Sequence, residues 1–202
     1  TEANIAGADL RGADLTGAKL SKANLSDANL TESDLTGANL TDADLSRSNL
    51  DRADLTGANL TGVDLTGKDL TRVNLTGANL RGAVLADADL NGANLTNSDL
   101  TGVNLAGANL SGTGLAGANL RAASLTRTNL SKANLREADL TEANLTEASL
   151  TEADLTEANL TRANLTGADL SESDLTGANL TDTDLSRSNL DRVDLTRANL
   201  TG

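Results

Sequence analysis

The sequence predicts an all-β, four-sided solenoid, and three observations predict it. Leucine occupies every fifth position from Leu10 to Leu200 without a slip, with Ile5 in the first slot. The residue two before each leucine is usually Ala, sometimes Ser, Thr or Val, and the residue one before it is nearly always Asp or Asn. Longer duplications fall at multiples of 20 residues. A strict short period of this kind is the mark of a stacked, quasi-one-dimensional architecture.

The period excludes the regular elements. On an α-helix five residues advance about 140°, so the leucines would scatter around the cylinder. In a flat strand an odd spacing puts successive leucines on opposite faces. A chain that turns a corner every five residues sends every leucine to one axis. The small residue two before shares the leucine's side of a short extended segment and points inward with it. The residue after each leucine is mostly Thr or Ser, and the next is often Gly or a charged residue. With the Asp or Asn before it, this is turn chemistry, and helix propensity is poor throughout.

The number of corners per circuit comes from the duplications. TGANL stands at 36–40, 56–60, 76–80 and 176–180. Glu32–Gly62 recurs as Glu172–Gly202, differing only at Ala43/Thr183, Ala53/Val193 and Gly57/Arg197. That offset is a whole number of four-corner circuits and not of three-corner ones. Four faces and about ten turns follow, giving a rod of roughly 48 Å at the strand spacing. One unbroken domain over 1–202 is expected, with no evident capping domain.

The run ANLSDANL…SDLTGANLTDADL resembles the pentapeptide-repeat family, whose motif is A(D/N)LXX, along essentially the whole chain. The resemblance implies a right-handed quadrilateral β-helix. Natural members commonly place Phe at some central positions, whereas here every centre is Leu or Ile. Phe, Tyr, Trp, Met and Pro are all absent. A designed or consensus-like repeat segment is the compositional expectation.

Composition narrows the chemistry. With no Cys there is no disulfide or thiolate site, and with no His the usual general base and commonest metal ligand are missing. No cofactor or metal is expected. The net charge of −13 opposes direct binding to nucleic acid. No apolar run reaches a membrane span, so the chain is expected to be soluble, and cytoplasmic if natural. Carboxylate pairs such as Asp34 with Asp54, or Asp174 with Asp194, would lie one turn apart. A smooth rod offers no cleft in which to split their pKa values, so no enzyme is expected.

Three features remain as candidates. Glu142, Glu147, Glu152 and Glu157 fall at equivalent positions on four successive faces, with Glu137 and Asp154 beside them. Regular carboxylates on a rod are the expectation for a mimic of duplex DNA, and resemblance to topoisomerase-protecting family members names a type II topoisomerase such as DNA gyrase as the partner. The blander reading is a solubilising surface on a structural scaffold. Rows such as Thr16, Thr36, Thr56, Thr76 and Thr96 raise ice binding, against which stands their fit to a turn-adjacent strand position. Lys68 replaces an inward Ala and is a core anomaly: its amine should escape to a corner or find carbonyls or a carboxylate, because a buried unpaired ammonium is costly. Gly114, in SGTGL, removes the side chain altogether and is expected to loosen its turn. Uncapped ends would leave unpaired backbone groups, with end-to-end self-association as the expected consequence.

Overall fold

The computed structural model describes residues 2–202. Parallel β-bridges join the residues before the leucines to their counterparts 20 positions on, as in Asn4 with Asn24 and Asn179 with Asn199, except between Asp44 and Asp64 and between Asn49 and Asp69. Each regular circuit therefore contains 20 residues and four bridges. The bridges are single-residue contacts rather than extended strands. The chain turns too often for a strand to run longer.

The hydrogen-bond register repeats with the sequence. The Leu25 amide donates to the Asp44 carbonyl at 2.8 Å, and the Asp44 amide donates back to Ala23 at 2.9 Å. The Asp27 amide donates to Ser46 at 2.9 Å. Within each corner the amide three residues after a leucine donates to that leucine's carbonyl, as from Ala28 to Leu25 at 3.0 Å. Three inter-circuit bonds and one turn bond thus recur every five residues.

Every corner holds its second residue after leucine at positive φ, from Gly7 to Gly202. With that single residue left-handed and the i to i+3 bond closed, the corner has the pattern of a type II turn. Most of these residues are not glycine: Glu147 lies at 57°, Arg127 at 56° and Ala122 at 53°. The left-handed region costs an L-residue roughly 1–2 kcal/mol. The ladder on either side overrides that preference.

The residue before leucine caps the corner. The Asn24 side-chain oxygen accepts from the Ser26 amide at 3.0 Å and from the Ser26 hydroxyl at 2.6 Å. The same Asx arrangement recurs at Asp64 with Thr66 and at Asn159 with Thr161. Asp and Asn suit the position because their short side chains reach an amide two residues on, although Lys19, Val84 and Gly114 also keep their bridges there.

One continuous apolar column runs from Leu20 to Leu180, with leucines at its centre and Ala or Val packed between. Inward hydroxyls are satisfied locally. Ser33 donates to Leu30 at 2.7 Å, and Thr113 reaches the Leu90 carbonyl of the preceding circuit at 2.9 Å. No buried side-chain nitrogen or oxygen lacks a partner among the described residues. Toward residue 202 the column opens, and Leu190 and Leu200 are 39% and 51% exposed.

Gly114 does not loosen its circuit. It is bridged to both Asn94 and Asn134, and its amide and carbonyl keep the ladder at 3.0 and 2.7 Å. It occupies the bridge position, where the backbone alone does the pairing.

Candidate functional site

The acidic residues singled out above are placed by the corners. Glu137, Glu142, Glu147, Glu152 and Glu157 all take the left-handed position, which projects a side chain into solvent. Successive corners face in different directions, so the five do not converge. Stacking along the rod decides their neighbours instead. Glu142 meets Arg162 at 3.6 Å, Glu147 meets Arg127 at 3.1 Å and Glu152 meets Lys132 at 3.6 Å. Asp154 accepts from Thr156 and lies 3.3 Å from Arg136. Glu137 and Glu157 stand one circuit apart on the same corner, and no ion pair is found for either among the described residues. These contacts are exposed and each contributes at most about 1 kcal/mol.

The carboxylates that form bridges serve the backbone. Asp34 and Asp54 are paired across one circuit, as are Asp174 and Asp194. Hydrogen bonds from Thr36 hold Asp34 below the ordinary aspartate range, and those from Thr176 do the same for Asp174. At Asp139 burial raises the pKa, but the Thr141 and Arg121 bonds outweigh it and the net shift is downward. Wherever an aspartate shift is resolved it favours the ionised form, opposite to what a general acid requires. No cluster with metal-binding composition is present among the described residues. Many threonine hydroxyls are likewise engaged, as Thr56 is with Asp54 and Thr76 with Asn74.

Among the described residues, Lys68 sits in the one place where bridges of the ladder are missing. Its ammonium donates to the Ser48 carbonyl at 2.6 Å and to the Ser48 hydroxyl at 3.2 Å. In the regular register that carbonyl would accept the Asp69 amide. The side chain therefore displaces a ladder bond. The bridges expected between Asp44 and Asp64, and between Asn49 and Asp69, are not formed. An open surface cavity of about 330 Å³ lies there, lined by Ala43–Arg47, Asp64, Thr66 and Lys68, and one of about 370 Å³ lies on the regular ladder between Ala86 and Arg127. Lys68 is half-buried, and burial pushes its amine down, partly countered by Asp44. The sequence marked Lys68 as out of place. It gave no sign of the cavity or of its lining residues, which are ordinary repeat residues.

Profiles of known families place the chain. The family described as pentapeptide repeats matches in eight copies, over residues 1–37, 28–67, 69–107, 104–141, 138–177 and 163–202. The chain belongs to the pentapeptide-repeat family. Such proteins fold as right-handed quadrilateral β-helices and are generally non-enzymatic. Among solved structures the chain is similar to HetL, a pentapeptide-repeat protein involved in heterocyst differentiation regulation from the cyanobacterium Nostoc sp. strain PCC 7120. The two share 38% identity over 99% of this chain and 86% of HetL, with a TM-score of 0.73. Two trypsin-treated variants of QnrB1, a plasmid-mediated fluoroquinolone resistance protein, are similar in fold alone. Each is 22% identical; one match covers 98% of this chain and 91% of the other at a TM-score of 0.54, the second 92% and 85% at 0.57. A search of curated proteins finds no match. Among the described residues no helix is long and apolar enough to cross a membrane.

Proposed function

We propose that this pentapeptide-repeat protein is a non-catalytic structural scaffold, a right-handed quadrilateral rod of consensus-like or synthetic make with no specific small-molecule site. One observation carries this reading: the residue types that could do chemistry are consumed by the repeat. The aspartates and asparagines cap corners, the hydroxyls bond to them or to leucine carbonyls, and three of the four girdle glutamates have basic neighbours one circuit away.

A second reading is an acidic DNA-mimicking binder of a type II topoisomerase such as DNA gyrase. The column of Glu137 and Glu157, with Asp139 and Asp154 nearby, supports it, as does the net charge of −13. A gyrase supercoiling assay separates the two. The scaffold reading expects no inhibition at high protein concentration. Inhibition that is salt-sensitive, and lost when Glu137, Glu142, Glu147, Glu152 and Glu157 are changed to Gln, would replace it with the mimic reading and locate the surface.

A further inference from the structure

The break at Lys68 opens two adjacent faces and reaches the edge of a third, where the Asn74 backbone amide has no backbone acceptor among the described residues. Going round the circuit, the faces carry Asp44–Asp64, Asn49–Asp69, Asp54–Asn74 and Asn59–Asn79. The first two lack their bridges, and the last two keep them. On the open side the amides of Leu45, Arg47, Leu50, Arg52, Asp64 and Asp69 have no backbone acceptor, although their counterparts one circuit on, such as Leu65 and Leu70, all do. On the bridged side the Asn74 side-chain amide makes up for its backbone amide's missing bond, donating to Asp54 at 3.1 Å and to Thr56 at 2.8 Å.

Ionic contacts follow the same division. The guanidinium groups bordering the opening turn away from it: Arg47 pairs with Asp27 at 2.6 Å and Arg52 with Glu32 at 3.0 Å, both on the preceding circuit. Among the described residues no ion pair crosses the opening. The Lys68–Ser48 contact is what spans it.

A rod that is bonded along one side and open along the other bends about the bonded side. We propose that the Lys68 seam is a hinge, closed on the Asp54–Asn74 and Asn59–Asn79 faces, about which the first three circuits swing relative to the seven that follow. The lysine is both wedge and latch. Its stem holds the two circuits apart, and its ammonium limits how far they separate by holding the Ser48 carbonyl. A solenoid is stabilised only through contacts between neighbouring circuits, so a fault in one interface leaves the segments on either side stiff. Each segment then moves as a unit.

The chain has no cysteine, so nitroxide labels can be placed at single chosen sites. Asp27→Cys with Asp87→Cys puts a pair across the open side, on corners of one column. Arg127→Cys with Arg187→Cys puts a pair at the same separation in the regular ladder. All four are left-handed corner positions, so the label tethers are equivalent. Electron–electron double resonance should give a distance distribution at least twofold broader for the first pair. Adding Lys68→Ala should narrow it to the width of the second. Equal widths for the two pairs in the parent would overturn the hinge. A broad first pair left unchanged by Lys68→Ala would overturn the assignment to Lys68. The parent comparison stands even where the Lys68→Ala protein folds poorly.

Discussion

The circuits from about residue 83 to residue 180 and the interface between residues 43–53 and 63–73 are built from the same pentads, yet only the first form a closed ladder. In the regular circuits a polar inward residue is short. Thr128 donates to the Leu105 carbonyl at 2.9 Å, and Ser98 to Leu95 at 2.7 Å, without disturbing any bridge. These hydroxyls use a spare lone pair on a carbonyl already in the fold. At the seam the inward residue is long and charged. It reaches the preceding circuit, as Thr128 does, but the carbonyl it takes is the one the Asp69 amide would use in the regular register. The difference teaches that the inward slot limits reach more than polarity. One residue beyond that limit opens two faces.

The largest expected effect sharpens this comparison in the core. Leu125→Ala, in a closed circuit, should cost about 2–5 kcal/mol, as buried leucine truncations do when the site does not collapse. Leu45→Ala, which borders the seam cavity, should cost at least about 1 kcal/mol less, because its surroundings are already incompletely packed. Paired denaturant melts measure both; equal losses would mean that the seam is as well packed as the ladder.

Next comes Lys68→Ala, which restores the commonest inward residue. Ladder bonds contribute about 0.5–1.5 kcal/mol each. Set against the lost Ser48 contact, the regained bonds should give a net stabilisation of about 2 kcal/mol, read as a raised Tm. A lowered Tm would show that the ammonium contact outweighs the ladder it displaces.

Much of the architecture was legible in the sequence because a five-residue repeat leaves few solutions. The leucine column, the inward Ala, the 20-residue circuit and the turn-forming role of Asp and Asn all come from the pattern. The use of charged residues at left-handed corners was less legible. Glu and Arg have no intrinsic preference for positive φ, so only the closed ladder explains why Glu147 and Arg127 adopt it. For the candidate site, sequence marked the girdle glutamates and Lys68 but could not reveal their surroundings. Pairing along the rod depends on residues 20 apart, and the seam depends on which carbonyl one ammonium reaches. Gly114 was a misleading signal, since a bridge position needs a backbone and not a side chain.

Acid should affect the regular circuits through their capping aspartates. The folded pKa of Asp34, Asp174 and Asp184 lies below the ordinary value, first because of side-chain hydrogen bonds from the Thr or Ser two residues on. A depressed carboxylate stabilises the fold above its unfolded pKa, and that contribution is lost as pH falls through the folded one. Stability should therefore be level above about pH 5 and decline below about pH 4. Thermal melts from pH 7 to pH 3 check this. A decline beginning at neutral pH would contradict it.

The smallest expected effect concerns the corners. Ala122→Gly relieves the left-handed penalty at a position with no ion pair, offset by the greater freedom of glycine in the unfolded chain. The net gain should be about 0.5 kcal/mol. Gly112→Ala, the reverse change at a corner with φ of 64°, should lose a similar amount. Chemical denaturation of both variants measures the pair, and a loss on adding glycine would contradict the strain at these corners.

The contrast between seam and ladder is tested most directly by native-state amide exchange, read residue by residue. The amides of Leu45, Arg47, Leu50, Arg52, Asp64 and Asp69 should exchange at least about a hundredfold faster than those of Leu125, Arg127, Leu130, Lys132, Asn144 and Ser149, whose ladder bonds are intact. Equal protection in the two sets would mean that the ladder is continuous through Lys68 and that the seam does not exist in solution.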